Sequence, residues 1–325
     1  MKTEVALGID VGGTNTAFGF VDINGNCIAD SSILTKAHNS AADLFARLHP
    51  EIEKIYNSIS DKCVLKGIGV GAPNANYYRG TVENPPNLKW GVVNVVEILR
   101  QYYDVSVAIT NDANASAIGE MLFGAAKGMK DFIVITLGTG LGSGVVVDGK
   151  LVYGSDGFAG EIGHTVYDPN GRQCGCGRKG CLETYASATG IKRTVMELLA
   201  NSNEDSALRN ISYNDLESKM IYTSALAGDK LAKEAFEFTG KVLGLKLADA
   251  VAVTSPEAII LFGGLALAGN MIIAPTKKSM EENLFHVFQN KVKILPSGLP
   301  EGNSAVLGAA ALIWNEMIKH EEIIA

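Results

Sequence analysis

The sequence has little of several features that mark particular classes of protein. Only five of its 325 residues are cysteine and 7% are aromatic, and lysine and arginine form no block. The net charge of −7 therefore argues against nucleic acid or an anionic membrane as the main partner. Apolar runs stay shorter than the roughly 18 residues of a membrane-spanning helix, and the N-terminus lacks the pattern of a signal peptide. We expect a soluble, cytoplasmic protein.

The composition is otherwise that of a globular protein with ample material for a core. Hydrophobic residues make up 47% of the chain, and its length is typical of two domains. Three cysteines, Cys174, Cys176 and Cys181, lie close together, and many of the 36 glycines occur in clusters. The other two cysteines stand alone, so a disulfide framework is not expected.

One succession of elements occurs twice, about 125 residues apart. An apolar strand at 4–10, a glycine-rich turn and a returning strand at 16–22 have counterparts between residues 132 and 147. A duplicated domain explains this repeat. Periodicity also predicts strands and amphipathic helices elsewhere, with strands at 64–71, 105–110 and 258–262 and helices at 41–58, 113–124, 229–253 and 301–319. The alternation of strand, polar turn and helix predicts an α/β fold.

The two glycine-rich turns, Gly12-Gly13-Thr14-Asn15 and Gly138-Thr139-Gly140-Leu141-Gly142, are candidate phosphate sites. Their small residues leave backbone N–H groups open to phosphate oxygens. Neither turn is a Walker loop or a dinucleotide fingerprint, because Gly-Lys-Ser/Thr is missing and a strand follows each. Ordinary hairpins are the alternative, but two such turns at equivalent places favour one bound polyphosphate. Asp10 is placed to hold Mg²⁺, or else to cap the first turn.

Asp112 lies between a predicted strand and a predicted helix. Its functional role would be that of a general base toward a substrate hydroxyl, which is what phosphoryl transfer needs besides positioning and charge neutralisation. The alternative role is that of the helix N-cap. The neighbouring amides of Asn111 and Asn114 both donate and accept hydrogen bonds, which suits the hydroxyl groups of a sugar.

The close cysteines predict a structural zinc site. Cys174, Cys176 and Cys181 with the preceding His164 form a Cys₃His set, which is typical of closed structural zinc sites. Free thiols in a mobile loop are the alternative, but they would be exposed to oxidation. Two carboxylates, Glu161 and Glu183, bracket the loop, so folding around the metal would bring them together. Each is otherwise a solvated surface side chain.

Taken in order, these motifs resemble those of the ROK family of bacterial sugar kinases and related repressors, and look most like its ATP-dependent glucokinases. The motifs are Asp10-Val11-Gly12-Gly13-Thr14, Asn111-Asp112-Ala113-Asn114-Ala115, Leu137-Gly138-Thr139-Gly140-Leu141-Gly142-Ser143-Gly144, Glu161-Ile162-Gly163-His164 and Cys174-x-Cys176-Gly177-x-x-Gly180-Cys181-Leu182-Glu183. The resemblance implies duplicated ribonuclease-H-like lobes of the actin and hexokinase type, with ATP in the interlobe cleft. It also implies Mg²⁺-assisted transfer of the γ-phosphoryl group to the 6-hydroxyl of a hexose.

Carried over residue by residue, the resemblance makes Asp112 the catalytic base. It assigns sugar contacts to Asn111, Glu161, His164 and Glu183, and more loosely to Asn87. It assigns phosphate contacts to Gly12, Gly13 and Thr14 with Gly138, Thr139 and Gly140. Asp10, as the Mg²⁺ ligand, and Asn15 are counted with them among the predicted cofactor-binding residues. Gly263 and Gly264 would lie by the adenosine, and zinc would be held by His164, Cys174, Cys176 and Cys181.

The resemblance predicts an N-terminal lobe at 1–112, with a closing helix at about 301–325 packed back on it, and a C-terminal lobe at 113–300 that carries the zinc loop. Two residues depart from the family pattern. Position 74 is asparagine where the family has glycine, and position 15 is asparagine where many of its glucokinases have lysine. Glucose is the expected substrate. N-acetylmannosamine, N-acetylglucosamine, mannose and fructose are the alternatives, and a homodimer or tetramer is implied.

Two other functions are less favoured. A DNA-binding repressor of the family is disfavoured because its additional helix-turn-helix domain would precede the kinase-like part, whereas here the first turn begins at residue 10. A sugar sensor without catalysis would be expected to lack the base or one of the phosphate turns, and both are present. The expected partners are therefore a sugar and ATP, with no nucleic acid and no membrane.

Overall fold

The computed structural model describes the backbone of residues 2–324 and the side chains of residues 2–319. The outermost residues of the predicted lobes, 1 and 325, lie outside this range. The described strands are β1 (Thr3–Val11), β2 (Asn15–Asp22), β3 (Cys27–Leu34), β4 (Cys63–Gly71), β5 (Ala75–Asn76), β6 (Thr81–Glu83), β7 (Val92–Asn94), β8 (Ser106–Thr110), β9 (Phe132–Leu137), β10 (Leu141–Val147), β11 (Lys150–Leu151), β12 (Ala258–Phe262) and β13 (Lys293–Pro296). The described α-helices are α1 (Ala41–Ile59), α2 (Val95–Arg100), α3 (Asp112–Leu122), α4 (Ala188–Asn201), α5 (Ser218–Leu226), α6 (Lys230–Thr254), α7 (Asn270–Asn283) and α8 (Ser304–Ile324).

The chain divides into two compact units. The first contains the residues up to Met129, the segment Leu151–Gly160 and the residues from Gly298 onward, and the second contains Lys130–Lys150 and Glu161–Ser297. The first unit therefore extends past residue 112, the lobe boundary that the sequence predicts. The reason is that α3 packs on α8 through small residues: a Cβ atom at Gly119 would lie 3.0 Å from the Cα of Gly308.

A five-stranded sheet forms the centre of the first unit, in the order β3-β2-β1-β4-β8. β1 runs antiparallel to β2 and parallel to β4, which in turn is parallel to β8. The register aligns Asp10 with Gly71, and Gly71 with Thr110. The carboxyl ends of three parallel strands therefore meet at one edge of this sheet, where open α/β sheets commonly bind ligands.

The sheet of the second unit has the same plan. Its order is β11-β10-β9-β12-β13, and β9 runs antiparallel to β10 and parallel to β12, which is parallel to β13. The first strand of each sheet thus pairs with a following antiparallel strand on one side and a later parallel strand on the other. This correspondence confirms the α/β fold and the duplication predicted from the sequence.

Helix α8 covers one face of the first sheet at very short range. A methyl group at Gly8 or Gly69 would overlap the backbone of Val306 or Ala309, so both strands need glycine where the helix crosses them. The opposite face is covered by α1, whose Leu44 is fully buried and whose first turn is capped by the side chain of Ser40. The closing helix predicted at the C-terminus is therefore an integral layer of the first unit.

Most predicted elements are present with shifts of only a few residues at their ends. The alanine-rich helix starts at Asp112 instead of residue 113, and the strand predicted at 258–262 is observed with those bounds. Within the described part of the chain, no helix is both long enough and apolar enough to cross a membrane.

Candidate active site

The first unit brings two carboxylates to the carboxyl edge of its sheet. Asp10 is in the last residues of β1, and Asp112 follows β8 as the first residue of α3. Both lie near Gly71 at the end of β4: a Cβ atom at this glycine would be 3.6 Å from Asp10 Oδ1 and 3.9 Å from the Cα of Asp112. A methyl group at position 71 would therefore reach both residues at ordinary van der Waals distance.

Both carboxyl groups have a raised pKa, and the charge of Asp112 contributes to the shift at Asp10. Burial, together with the nearby charge of Asp112, raises the pKa of Asp10 from 3.8 to about 7. The protein around Asp112 limits its hydration and raises the pKa of that carboxyl as well, although its side chain is open to solvent. Two oxygen donors that share uncompensated negative charge suit a hard cation such as Mg²⁺.

Asp112 is not the N-cap of α3, because Asn111 occupies that position. The Asn111 Oδ1 accepts a hydrogen bond of 2.7 Å from the backbone N–H of Asn114, as N-cap side chains do. The Asp112 Oδ1 accepts a bond of 2.8 Å from the N–H of Ala113. The N-cap role that was the alternative for Asp112 is thus filled by Asn111. Capping uses the side-chain oxygen of Asn111, which is also a predicted sugar ligand.

The first glycine-rich turn is held in place in part by Thr35, which belongs to none of the sequence motifs. The N–H of Gly12 donates to the Asn15 carbonyl at 3.0 Å, and the Thr35 hydroxyl donates to the Gly12 carbonyl at 2.7 Å. Asn87 packs against the same turn, since a Cβ atom at Gly13 would lie 3.2 Å from that of Asn87. The structure thus brings Asn87 to the first turn. Nothing in the local sequence marks Thr35, because its partner is 23 residues away.

The second turn joins β9 to β10 and gathers several predicted residues around it. The N–H of Gly138 donates to the Gly140 carbonyl at 3.1 Å, and that of Gly142 donates to the Thr136 hydroxyl at 3.1 Å. A Cβ atom at Gly263 would lie 2.9 Å from the Leu137 carbonyl. The glycine pair after β12 therefore lies beside the start of the turn.

Open space remains next to this glycine pair and the turn. A Cβ atom at either Gly138 or Gly264 would meet no atom within 4 Å. Glycines that are not required by packing leave the backbone accessible to a ligand. This arrangement fits the phosphate and adenosine contacts predicted for the two segments.

The segment that carries Glu161 and His164 packs on the same turn. The N–H of Ile162 donates to the Ser143 hydroxyl at 3.1 Å. Gly163 is buried so closely against the Leu141 carbonyl that a methyl group would overlap it. Glu161 precedes the short 3₁₀ helix at 162–164 and His164 is its last residue, so their positions follow from this contact.

The predicted zinc ligands converge. One donor atom from each of His164, Cys174, Cys176 and Cys181 lies within 4.8 Å of the others. The Sγ atoms of Cys176 and Cys181 are 3.6 Å apart, and Cys174 Sγ is 3.8 Å from His164 Nδ1. Thiolates bound at about 2.3 Å in a tetrahedron are about 3.8 Å apart. The donor set and its spacing therefore fit a structural zinc ion.

The electrostatics of the loop favour a thiolate at its exposed corner. Burial alone would raise the pKa of Cys176, but hydrogen bonds from Arg178 lower it to about 6. Arg178 also donates to the His164 carbonyl at 2.8 Å. The arginine thus ties together two of the predicted ligands and places a positive charge beside them.

Glu183 connects this metal-binding loop to the second turn. Its Oε1 is 2.9 Å from Cys174 Sγ and 3.7 Å from His164 Nδ1. Its other oxygen, Oε2, would lie 2.6 Å from a Cβ atom at Gly140. One carboxylate therefore touches both the zinc-binding cluster and the predicted phosphate turn.

Comparison with known proteins gives the family. The family model described as the ROK family matches residues 6–316, and the chain belongs to this family. Its architecture is the α/β ATPase fold of the ROK sugar kinases among its structural neighbours. The resemblance inferred from the motifs is confirmed.

The relatives include both enzymes and regulators. A glucokinase from Halalkalibacterium halodurans is 34% identical over 86% of each chain. A xylose repressor from Caldicellulosiruptor bescii is 30% identical over 97% of this chain and 79% of its own. A solved ROK family glucokinase from Streptomyces griseus, in complex with glucose and AMPPNP, matches 95% of this chain and 98% of its own with a TM-score of 0.80 and 32% identity.

Proposed function

We propose that this protein, an ATP-dependent sugar kinase, transfers the γ-phosphoryl group of ATP to the 6-hydroxyl of glucose. The observation that carries the proposal is the position of Asp112. Its carboxylate is at the carboxyl edge of the sheet, beside Asp10, and is not used as the helix cap. A carboxylate that is accessible and has a raised pKa suits the removal of a proton from an alcohol.

In this reaction the oxygen of the sugar hydroxyl attacks the γ-phosphorus of ATP, and Asp112 accepts the proton of that hydroxyl. The bond between the γ-phosphorus and the ADP leaving group breaks. The backbone of the two glycine-rich turns holds the phosphates. When bound, Mg²⁺ neutralises charge on the phosphate oxygens. Asp10 would hold it, which fits the uncompensated charge that Asp10 shares with Asp112.

We assign sugar contacts in two sets. The first set is Asn87, Asn111 and Asp112, and the second is Glu161, His164 and Glu183. Zinc, held by His164 and the three cysteines, would have a structural role because the four protein ligands complete its coordination. Its function is to fix the loop from which Glu183 projects.

Glucose is proposed because three observations agree: the motifs look most like glucokinases, the relative that is 34% identical is a glucokinase, and so is the solved relative that holds glucose. A hexose kinase of different specificity, for N-acetylmannosamine, N-acetylglucosamine, mannose or fructose, is the alternative. A cytoplasmic location and a homodimer or tetramer remain predictions.

A coupled assay of ADP release over this panel of sugars tests the proposal. We expect the highest kcat/KM with glucose and loss of turnover when Mg²⁺ is omitted. A higher kcat/KM with another hexose would make that hexose the substrate and leave the assignment as a sugar kinase unchanged. Absence of turnover with every sugar, together with tight sugar binding, would favour a regulator.

A further inference from the structure

Arg172 lies in the loop that precedes Cys174, and its side chain is largely buried there. Its side chain is only 10% exposed, which is uncommon for a charged residue. The guanidinium carbon is 4.5 Å from the ring centre of Tyr185 and 5.9 Å from that of Phe238. These aromatic faces stabilise the cation and fix the plane of the guanidinium.

Every nitrogen of this guanidinium has a partner. Nη1 donates to the backbone carbonyls of Thr184 at 2.8 Å and Gly190 at 3.1 Å. Nη2 donates to the Thr194 hydroxyl at 3.0 Å. Glu197 accepts two bonds, from Nε at 3.0 Å and from Nη2 at 2.5 Å, in the two-point geometry that only arginine provides.

These contacts surround the backbone of Glu183. Thr184 follows it directly, and its carbonyl is held by Arg172. The Glu183 carbonyl itself accepts a bond of 2.7 Å from the Ser187 hydroxyl. The backbone of the loop is fixed as well, since the N–H of Arg172 donates to the Tyr185 hydroxyl at 2.9 Å. Arg172 thus ties the loop before the cysteines to the short 3₁₀ helix Leu182–Thr184, which follows them, and to α4.

We propose that Arg172 is a positioning residue that sets the direction of the Glu183 carboxylate for sugar binding. The inference rests on the proposed function, because Glu183 is a sugar ligand only there. Arg172 acts through backbone geometry, and none of its contacts is to a zinc ligand's donor atom. Its effect on sugar affinity is therefore separable from metal binding.

The test is Arg172→Lys, which keeps the charge but cannot form the planar fork. We expect the KM and the calorimetric Kd for glucose to rise roughly 10- to 100-fold, as for other groups that orient a ligand side chain. The KM for ATP, the kcat at saturating sugar and the zinc content should stay unchanged. Arg193→Lys is the matched control, because Arg193 donates one bond from the same region, to the Gln173 carbonyl at 2.9 Å, and should behave as wild type.

Glu197→Gln provides a second variant in case Arg172→Lys folds poorly. The Glu197 side chain is 57% exposed, so this change weakens its two-point interaction with Arg172 without creating a cavity. We expect a loss of glucose affinity smaller than that of Arg172→Lys. Loss of zinc in parallel with sugar affinity, or an equal rise in both KM values with a lower unfolding temperature, would overturn the proposal. If the wild-type chain binds glucose but does not phosphorylate it, the proposed function fails while the Kd comparison still decides the role of Arg172.

Discussion

The carboxylate of Glu183 lies directly against Gly140 in the turn between β9 and β10. A methyl group at residue 140 would be 2.6 Å from Glu183 Oε2, which is closer than real carbon and oxygen atoms approach. The proposed sugar ligand and the proposed phosphate turn therefore share one contact surface within the second unit. A side chain at this position would force the end of the Glu183 side chain or the turn itself to move.

Gly140→Ala should disturb both binding functions at once. The added methyl group forces either the turn or Glu183 to move, and displacements of about 1 Å at a reacting site cost on the order of 10²-fold in rate. We expect a loss of this size in kcat/KM, with higher KM values for glucose and for ATP, in steady-state assays. Gly91→Ala is the control, because a Cβ atom there meets nothing within 4 Å. An effect on the KM for ATP alone would show that Glu183 does not depend on this contact.

Asp112→Asn tests the proposed base. The amide has the same shape but cannot accept the hydroxyl proton, so kcat should fall by on the order of 10²–10⁴. Glucose affinity, measured by calorimetry without ATP, should stay close to that of the wild type. Turnover near the normal level in this variant would remove Asp112 from the mechanism.

The sequence predicts those parts of the site that depend on local pattern. The two turns are recognisable because glycine clusters follow apolar strands, and the zinc cluster because its ligands lie within one short segment. The first sheet's close contact with α8 depends instead on residues some 300 positions apart, such as Gly8 and Val306.

The same limit explains the residues that sequence reasoning missed. Arg172 reads as a solvated loop residue, and only the folded chain places it between Tyr185 and Phe238. The sequence pointed to Asp112 as the alternative cap of α3, whereas the folded chain uses Asn111, and both residue types are good N-caps.

Cys176→Ser tests whether zinc supports the sugar site. Serine is a poor zinc ligand, so the loop should lose the energy that metal binding contributes to folding. We expect a lower zinc content, a lower unfolding temperature and weaker glucose binding, because Glu161 and Glu183 lose their support. Cys27→Ser is the control, since Cys27 lies outside the four-residue cluster. Normal sugar affinity in a zinc-free Cys176→Ser protein would separate the metal from the sugar site.

Asp10→Asn should stabilise the metal-free protein in a pH-dependent way. The pKa of Asp10 is raised from 3.8 to about 7 by burial and by Asp112, so the folded state retains a proton that the unfolded state releases. Stability associated with this group is full below about pH 4 and is lost as the pH rises to about 7, at a cost on the order of a few kcal/mol. The variant avoids this loss. In thermal unfolding with a chelator, the gain in stability of the variant over the wild type should therefore be larger at pH 8 than at pH 5. Kinase activity should fall, because Mg²⁺ loses a ligand.

Asp61→Asn is the control. It changes an exposed aspartate and should give no such pH dependence. An equal advantage at both pH values would mean that the charge on Asp10 is not what destabilises the folded state.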